Sequence, residues 1–216
     1  MSRERFANDI DEFIKRLTDA SDQSYKKKLT PVRNRLLKLK ERNLVRINHS
    51  ILEILCAWHL IKLNYDVDVE KRIGDSILIA DIIARNEVES NSLLVEVETG
   101  FVPPSAAMNP RHYRMVRIAS KLARYSGHYP NFALATPVYH LLQVPYTLLK
   151  EPGLRRKGEL FQLKRLCDQY YQDPPITYED LKKAELDRIF LMNVDDLEVT
   201  SLSSDLYLEL LLDLGV

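Results

Sequence analysis

A single aspartate interrupts one of the most apolar stretches of this chain. Residues 77–84 read Ile-Leu-Ile-Ala-Asp-Ile-Ile-Ala, with Asp81 in the middle. Such a β-branched run is typical of a strand that is buried on both faces. Burying a lone carboxylate is costly unless a cation or hydrogen bonds compensate its charge. We therefore expect the fold to place compensating groups around Asp81.

Two further acids stand close by, on the next predicted strand. Glu96 and Glu98 are two residues apart, so strand alternation puts both side chains on one face, about 7 Å apart. If this strand pairs with the Asp81 strand, three carboxylates converge, and their repulsion favours a divalent cation. Several hard oxygen ligands suit Mg²⁺ or Mn²⁺. The alternative is that Glu96 and Glu98 are solvent-exposed strand acids and that backbone amides bind Asp81 at a bend.

The periodicity of apolar residues predicts an α/β fold. Three consecutive strands with short turns indicate an antiparallel meander, and the strand, helix, strand order that follows indicates a parallel crossover. Two N-terminal helices resemble an arm that packs on the main domain or on a second copy. The predicted helices cover 3–17, about 25–42, 48–64, 110–126, 159–171, 178–185 and 203–214, and the predicted strands cover 65–70, 77–84, 93–98, 131–136 and 188–194.

Charge is strongly segregated along the chain, although the formal net charge is zero. The last 22 residues, 195–216, carry acids and no Lys or Arg. Such segregation favours a polyanion partner for the basic end, and a solvated basic helix face is the alternative. The basic segment covers residues 26–46 and contains one acid, Glu41. Its basic residues are Lys26, Lys27, Lys28, Arg33, Arg35, Lys38, Lys40, Arg42 and Arg46.

Several classes of protein are disfavoured by the sequence. The N-terminus is polar from its first residues, unlike a signal peptide, and no apolar run approaches the roughly 20 residues that cross a bilayer. We expect an intracellular, cytoplasmic protein with no membrane partner. Cys56 and Cys167 stand far apart, outside any zinc-binding spacing, and are predicted to be small buried thiols. Glycines are too few and isolated for a phosphate-binding loop.

The order of acids resembles the PD-(D/E)xK nuclease superfamily, in particular archaeal Holliday-junction resolvases and related archaeal virus nucleases. Glu53 stands in a helix, Asp81 on a strand and Glu96-Val-Glu98 on the next, within residues 48–136. The resemblance implies a restriction-endonuclease-like fold, which is a central mixed β-sheet flanked by helices, here with an N-terminal helical arm. The implied division is an arm over 1–46 and a nuclease-like domain over 47–216, with its catalytic core in 48–136 and a mostly helical extension in 137–216.

The resemblance also implies a set of metal ligands. Glu53 matches the helix acid of the family, Asp81 the metal-binding aspartate and Glu96 the first acid of the E-x-K motif. The carbonyl of Val97 is the further implied ligand, and Mg²⁺ or Mn²⁺ is the implied cofactor. The five histidines have no metal-ligand spacing and are expected on the surface or in packing, and His49 is the exception worth a test because it lies one helical turn before Glu53.

Glu98 departs from the family, because it stands where the family usually has lysine. A glutamate cannot stabilise charge on the phosphate, although it can bind a second metal or act as a base toward water. Some members carry the lysine on the next helix, and many have a Q-x-x-x-Y element there. Here that element reads Lys121-Leu-Ala-Arg-Tyr125, so Lys121 and Arg117 are the candidates for the missing cation.

These residues predict a metal-dependent nuclease that hydrolyses DNA, including branched or junction DNA, with Glu53, Asp81, Glu96, Glu98 and Lys121 as its catalytic residues. A homodimer that meets through the arm suits such a substrate, and for a viral protein the location becomes the host cytoplasm. The alternatives are a catalytically inactive nuclease fold that binds DNA, or an interaction module for a protein partner. DNA or RNA, and internal or terminal cleavage, stay open. The predicted nucleic-acid contacts are Lys27, Lys28, Arg33, Arg35, Lys38, Arg117 and Tyr125.

Overall fold

A six-stranded mixed sheet forms the centre of the protein. The computed structural model describes residues 1–19 and 23–215, with Gln23 described by its backbone alone. The strands lie in the order of the sequence, β1 to β6, which confirms the predicted α/β class with a mixed sheet flanked by helices. Their bounds are β1 Asp66–Arg72, β2 Ile79–Asn86, β3 Asn91–Val97, β4 Asn131–Pro137, β5 Arg188–Asn193 and β6 Glu198–Ser203.

The strand directions follow from the connections. β1, β2 and β3 form an antiparallel meander through short turns. A helix, α4 (Pro110–Tyr125), then crosses over the sheet, so that β4 lies parallel to β3, as the sequence predicts. β5 lies parallel to β4, and β6 returns antiparallel as the edge strand.

Helices cover both faces of the sheet, and each side has its own buried core. The three N-terminal helices pack on one face, and most of the later helices pack on the other. The helices other than α4 are α1 Arg3–Asp19, α2 Gln23–Glu41, α3 Ile47–Lys62, α5 Tyr146–Leu149, α6 Lys157–Cys167, α7 Tyr178–Lys183 and α8 Ser204–Asp213.

The N-terminal helices α1 and α2 pack on the main body of this chain. Phe6 and Leu36 are fully buried in the same core as Leu55 of α3 and Val95 of β3. The division into an arm and a nuclease-like domain stays a prediction. The apolar faces of these two helices are nevertheless continuous with the core beneath α3.

Several details differ from or complete the predicted elements. The sequence pattern missed β6, and it predicted α3 over 48–64, whereas the helix spans Ile47–Lys62. Cys56 and Cys167 are free and buried, as predicted. Within residues 1–19 and 23–215, no helix is both long and apolar enough to cross a membrane.

Candidate metal centre

The backbone pairing of strands β2 and β3 ends next to Asp81. Their backbone pairing runs from the turn as far as Ile82 opposite Val95. Beyond that point side chains replace the ladder: the Asp81 amide donates to Glu96 Oε1 at 3.1 Å, and the Val97 amide donates to Asp81 Oδ2 at 2.6 Å. The two acids therefore satisfy backbone groups that the separated strands would otherwise leave unpaired.

Four residues from three elements form a group that could hold a metal ion. His49 and Glu53 lie one turn apart on α3, Glu70 lies on β1 and Asp81 on β2. One ligand atom from each lies within 4.8 Å of the others. We call these four residues the ligand group. Sequence reasoning selected Glu53 and Asp81, singled out His49 as the histidine to test, and missed Glu70.

Glu53 is the clearest sign that a cation belongs here. Its side chain is 0% exposed, and in the described part of the chain neither carboxylate oxygen makes a hydrogen bond of ordinary geometry, with His49 Nε2 4.0 Å from Oε1. Burial, reinforced by the negative charge of Asp81, raises the pKa of Glu53 well above its ordinary value. A divalent ion would supply the partner that these oxygens lack, so the donor set fits a metal.

An unusual backbone conformation brings Glu70 into the group. Strict alternation along β1 assigns Glu70 to the face opposite Val69, which is buried in the core beneath α3. Glu70 instead has a φ of +49°, a left-handed conformation that interrupts the alternation. Such backbone strain in a residue other than glycine clusters at functional sites. Periodicity alone gave no signal for this contact.

A second group centres on the ammonium of Lys121, which reaches the sheet from α4. Lys121 Nζ lies 3.4 Å from Asp81 Oδ2, 3.0 Å from Glu96 Oε2 and 2.9 Å from Glu98 Oε1. It also donates to the Val97 carbonyl at 2.9 Å. We call Asp81, Glu96, Glu98 and Lys121 the lysine cluster. Asp81 belongs to both groups, so the two share one carboxylate.

Electrostatics fixes the charges within the lysine cluster. Burial disfavours the ammonium of Lys121, but Glu96 and the other acids overcome it and raise its pKa well above the ordinary value. Burial likewise opposes ionisation of Asp81, yet Lys121 and His49 hold the pKa of that carboxyl far below its usual range. Burial, with the charge of Asp81, raises the pKa of Glu96 to about 8. The centre is therefore built around an ionised Asp81 and a charged Lys121.

Glu98 faces two cations. Arg117 Nε donates to both of its oxygens, at 3.0 and 2.9 Å, beside the contact from Lys121. Burial alone would raise the pKa of Glu98, but Lys121 and Arg117 lower it. Glu98 thus lies in the lysine cluster as an anchor for both cations. Glu96 and the Val97 carbonyl, two predicted metal ligands, contact Lys121 rather than joining the ligand group.

The predicted nucleic-acid contacts have varied surroundings. On α2, Arg33 Nη2 donates to Asp11 of α1 at 2.6 Å, and Arg35 donates to the Glu70 carbonyl at 2.8 Å. On α4, the hydroxyl of Tyr125 donates to the Ile79 carbonyl at 3.1 Å. Their role in binding stays a prediction, as it does for the exposed Lys27, Lys28 and Lys38.

Comparison with known proteins leaves this geometry as the only guide to function. No protein-family profile, no curated protein and no solved structure matches the chain.

Proposed function

We propose that this chain is a metal-dependent nuclease that hydrolyses phosphodiester bonds in DNA. The observation that carries the proposal is Asp81, which joins a metal-capable ligand group to a buried lysine. A divalent cation and a fixed ammonium on either side of one carboxylate suit a substrate that gains negative charge during reaction. A phosphodiester under attack by water is such a substrate.

The order of elements supports a restriction-endonuclease-like core. Helix α3, strands β1 to β3, helix α4 and strand β4 follow one another, with an antiparallel meander and one parallel crossover. The helix acid Glu53, the strand acid Asp81 and the acid Glu96 stand on α3, β2 and β3 of this unit, in the order that the PD-(D/E)xK resemblance implies.

The ligand group would hold the cation through His49, Glu53, Glu70 and Asp81. When bound, a divalent ion supplies Lewis-acid polarisation of a phosphate oxygen and makes a water molecule more acidic. One imidazole among three carboxylates favours Mn²⁺ over Mg²⁺, because Mg²⁺ prefers oxygen ligands alone.

The chain itself supplies the second positive charge. In the E-x-K pattern a lysine reaches the acids from the strand that carries Glu96. Here Lys121 reaches the same acids from α4, and Glu98 holds it there together with Arg117. Glu98 is therefore compatible with catalysis, since the ammonium arrives from another element. Lys121 would neutralise charge on the phosphate without a change of its own protonation.

A cleavage panel tests the proposal. The parent protein is incubated with labelled linear, branched and single-stranded DNA in Mn²⁺, Mg²⁺ or EDTA, beside Asp81→Ala and the matched control Asp75→Ala, whose aspartate is exposed. We expect metal-dependent cleavage by the parent and by Asp75→Ala, and a loss of at least about a hundredfold in Asp81→Ala. Equal rates for the parent and Asp81→Ala would refute the proposal.

A nuclease-like protein that binds DNA without cutting it is the second candidate. Its specific support is that Lys121 contacts Glu96 and the Val97 carbonyl, so an internal cation already occupies two of the expected metal ligands. That protein would retain DNA in EDTA and leave every substrate of the panel intact. The predicted homodimer is a separate proposal, which sedimentation of the parent chain tests.

A further inference from the structure

A cleft of about 790 Å³ adjoins the ligand group. His49 and Glu70 of that group line it, together with Lys40, Arg46 and Phe101. Metal-capable residues, cations and an aromatic ring therefore share one concave surface. This combination suits a ligand that carries phosphates and flat apolar rings.

The aromatic ring of Phe101 is exposed at the cleft, next to an anchored glycine. Phe101 is 59% exposed, although it follows directly on a well-anchored glycine. Gly100 has a φ of +75°, and a Cβ at that position would lie 2.4 Å from the ring of His140. The Gly100 carbonyl also accepts from Arg114 Nη2 at 2.9 Å. These contacts anchor the backbone directly before Phe101, and Phe101 itself lines the cleft.

Another part of the lining is electropositive. Lys40 lies at the end of α2, and the exposed Arg46 is the N-cap residue of α3. The first turn of α3, from Ile47 to His49, also lines the cleft and carries the positive end of the helix dipole. The residues that could bind phosphates in the cleft are therefore close in sequence to His49 of the ligand group.

The ligand group is recessed below the surface of the protein. The side chains of His49, Asp81 and Glu53 are 26%, 14% and 0% exposed. A duplex presents its phosphates on a convex surface with its bases turned inward. A single strand can enter a recess and turn a base toward an aromatic ring at the same time.

We propose that the cleft takes a single nucleic-acid strand, which stacks one base on Phe101 and sets its phosphates on Lys40, Arg46 and the start of α3. Cleavage of that strand rests on the proposed nuclease function, whereas its binding does not. The preferred substrate is therefore a single-stranded end, flap or gap, and a continuous duplex is a poor one.

Binding and cleavage are measured separately to test this. Fluorescence anisotropy with a labelled oligothymidine and with a duplex of the same length is recorded in Ca²⁺, which occupies carboxylates. Phe101→Ala is expected to weaken single-strand binding about tenfold. Phe161→Ala is the matched control, because Phe161 on α6 is similarly exposed at 56%, and it should bind like the parent. Phe101→Trp should bind oligothymidine as tightly as the parent does. Oligothymidine should quench the tryptophan fluorescence of this variant more than it quenches that of the parent.

The charged contacts have their own measurement. Lys40→Gln and Arg46→Gln should each lower the slope of log affinity against log salt by about 0.7. The exposed Lys157, on the other face of the sheet, provides the control Lys157→Gln, which should leave the slope unchanged.

The outcomes separate the two proposals. Strand binding that depends on Phe101, without metal-dependent cleavage, supports this inference and refutes the nuclease. Cleavage by the parent with Phe101→Ala unchanged in affinity and rate refutes this inference and leaves the nuclease standing. Equal or tighter binding of the duplex, or no binding of either probe, also refutes it.

Discussion

At the scale of single residues, the buried carboxylate of Glu53 lies among other acids. Neither of its oxygens makes a hydrogen bond of ordinary geometry in the described structure, and Asp81 lies beside it as a fixed negative charge. Protonation relieves the conflict at low pH, and a bound cation relieves it at any pH. The stability of the metal-free protein should therefore depend on whether Glu53 is protonated.

Glu53→Gln is expected to stabilise the metal-free protein at pH 8. A carboxyl whose pKa is raised by folding stabilises the fold below its unfolded pKa and loses that contribution as pH rises through the folded value. Glu96 loses its contribution between 4.5 and about 8, and Glu53 behaves in the same direction. Removing the charge at 53 should raise stability in EDTA by about 1–3 kcal/mol, which corresponds to a Tm rise of about 2–12 °C.

Thermal unfolding in EDTA and in Mn²⁺, from pH 5 to pH 8, measures this effect. The parent should gain more from Mn²⁺ than Glu53→Gln does, because the variant lacks one ligand. Glu89→Gln, at an exposed turn position, is the control. A lower Tm for Glu53→Gln than for the parent in EDTA at pH 8 would show that the Glu53 carboxyl does not destabilise the metal-free protein.

The exchange of Glu98 and Lys121 provides a second residue-scale prediction. Either single change, Glu98→Lys or Lys121→Glu, leaves like charges buried together and should destabilise by about 3–5 kcal/mol. The double variant returns one cation to the acids, and a glutamate at 121 lies one turn from Arg117. Denaturant unfolding of the four proteins should give a favourable coupling of about 1–3 kcal/mol.

The exposed pair Glu179 and Lys182 on α7 supplies the comparison, since its two side chains lie 3.9 Å apart and are largely solvated. Exchanging these two residues should give a coupling of at most about 1 kcal/mol. If the buried exchange couples no more strongly than this surface exchange, Lys121 does not hold the cluster together.

At the scale of elements, the strength of periodicity decides what the sequence reveals. The apolar run around Asp81 and the amphipathic helices α1 and α4 have strong patterns, and their positions were predicted closely. β6 carries the weak pattern Glu-Val-Thr-Ser-Leu-Ser, which an edge strand with mostly exposed side chains permits. Glu70 was missed for a different reason, because its left-handed backbone breaks the alternation from which its face was inferred.

The end of α3 carries an element-scale prediction. Asn64 has a φ of +64°, and the amide of the next residue, Tyr65, donates to the Leu60 carbonyl at 3.0 Å, as in a Schellman cap. This turn sends the chain into β1 and so toward Glu70. Asn64→Gly should match the parent, whereas Asn64→Ala should lower stability by about 1–2 kcal/mol. Denaturant unfolding compares them, and equal stability of the Gly and Ala variants would show that the left-handed turn is not required.

At the scale of the whole molecule, the question is whether helices α1 and α2 unfold together with the main body or as a separate unit. The sequence suggested an arm because these helices carry few residues that could do chemistry, and it left open whether they pack on the main domain or on a second copy. In the structure α1 and α2 share a buried core with α3 and the sheet, and Arg35 donates to the backbone of Glu70. The four residues of the ligand group all lie within 47–216, and α2 of the predicted arm contacts that group through the Glu70 backbone.

Leu36→Ala tests that continuity. Leu36 is fully buried in α2, so its truncation should cost about 2–5 kcal/mol, and the exposed Lys28→Ala should cost at most about 0.5 kcal/mol. Trp58 lies in α3 and reports on the main body, while far-UV circular dichroism reports on all helices. If the helices fold as one unit, Leu36→Ala shifts both urea transitions equally. An unchanged Trp58 transition, preceded by a separate loss of helical signal, would instead establish the arm as an independent domain.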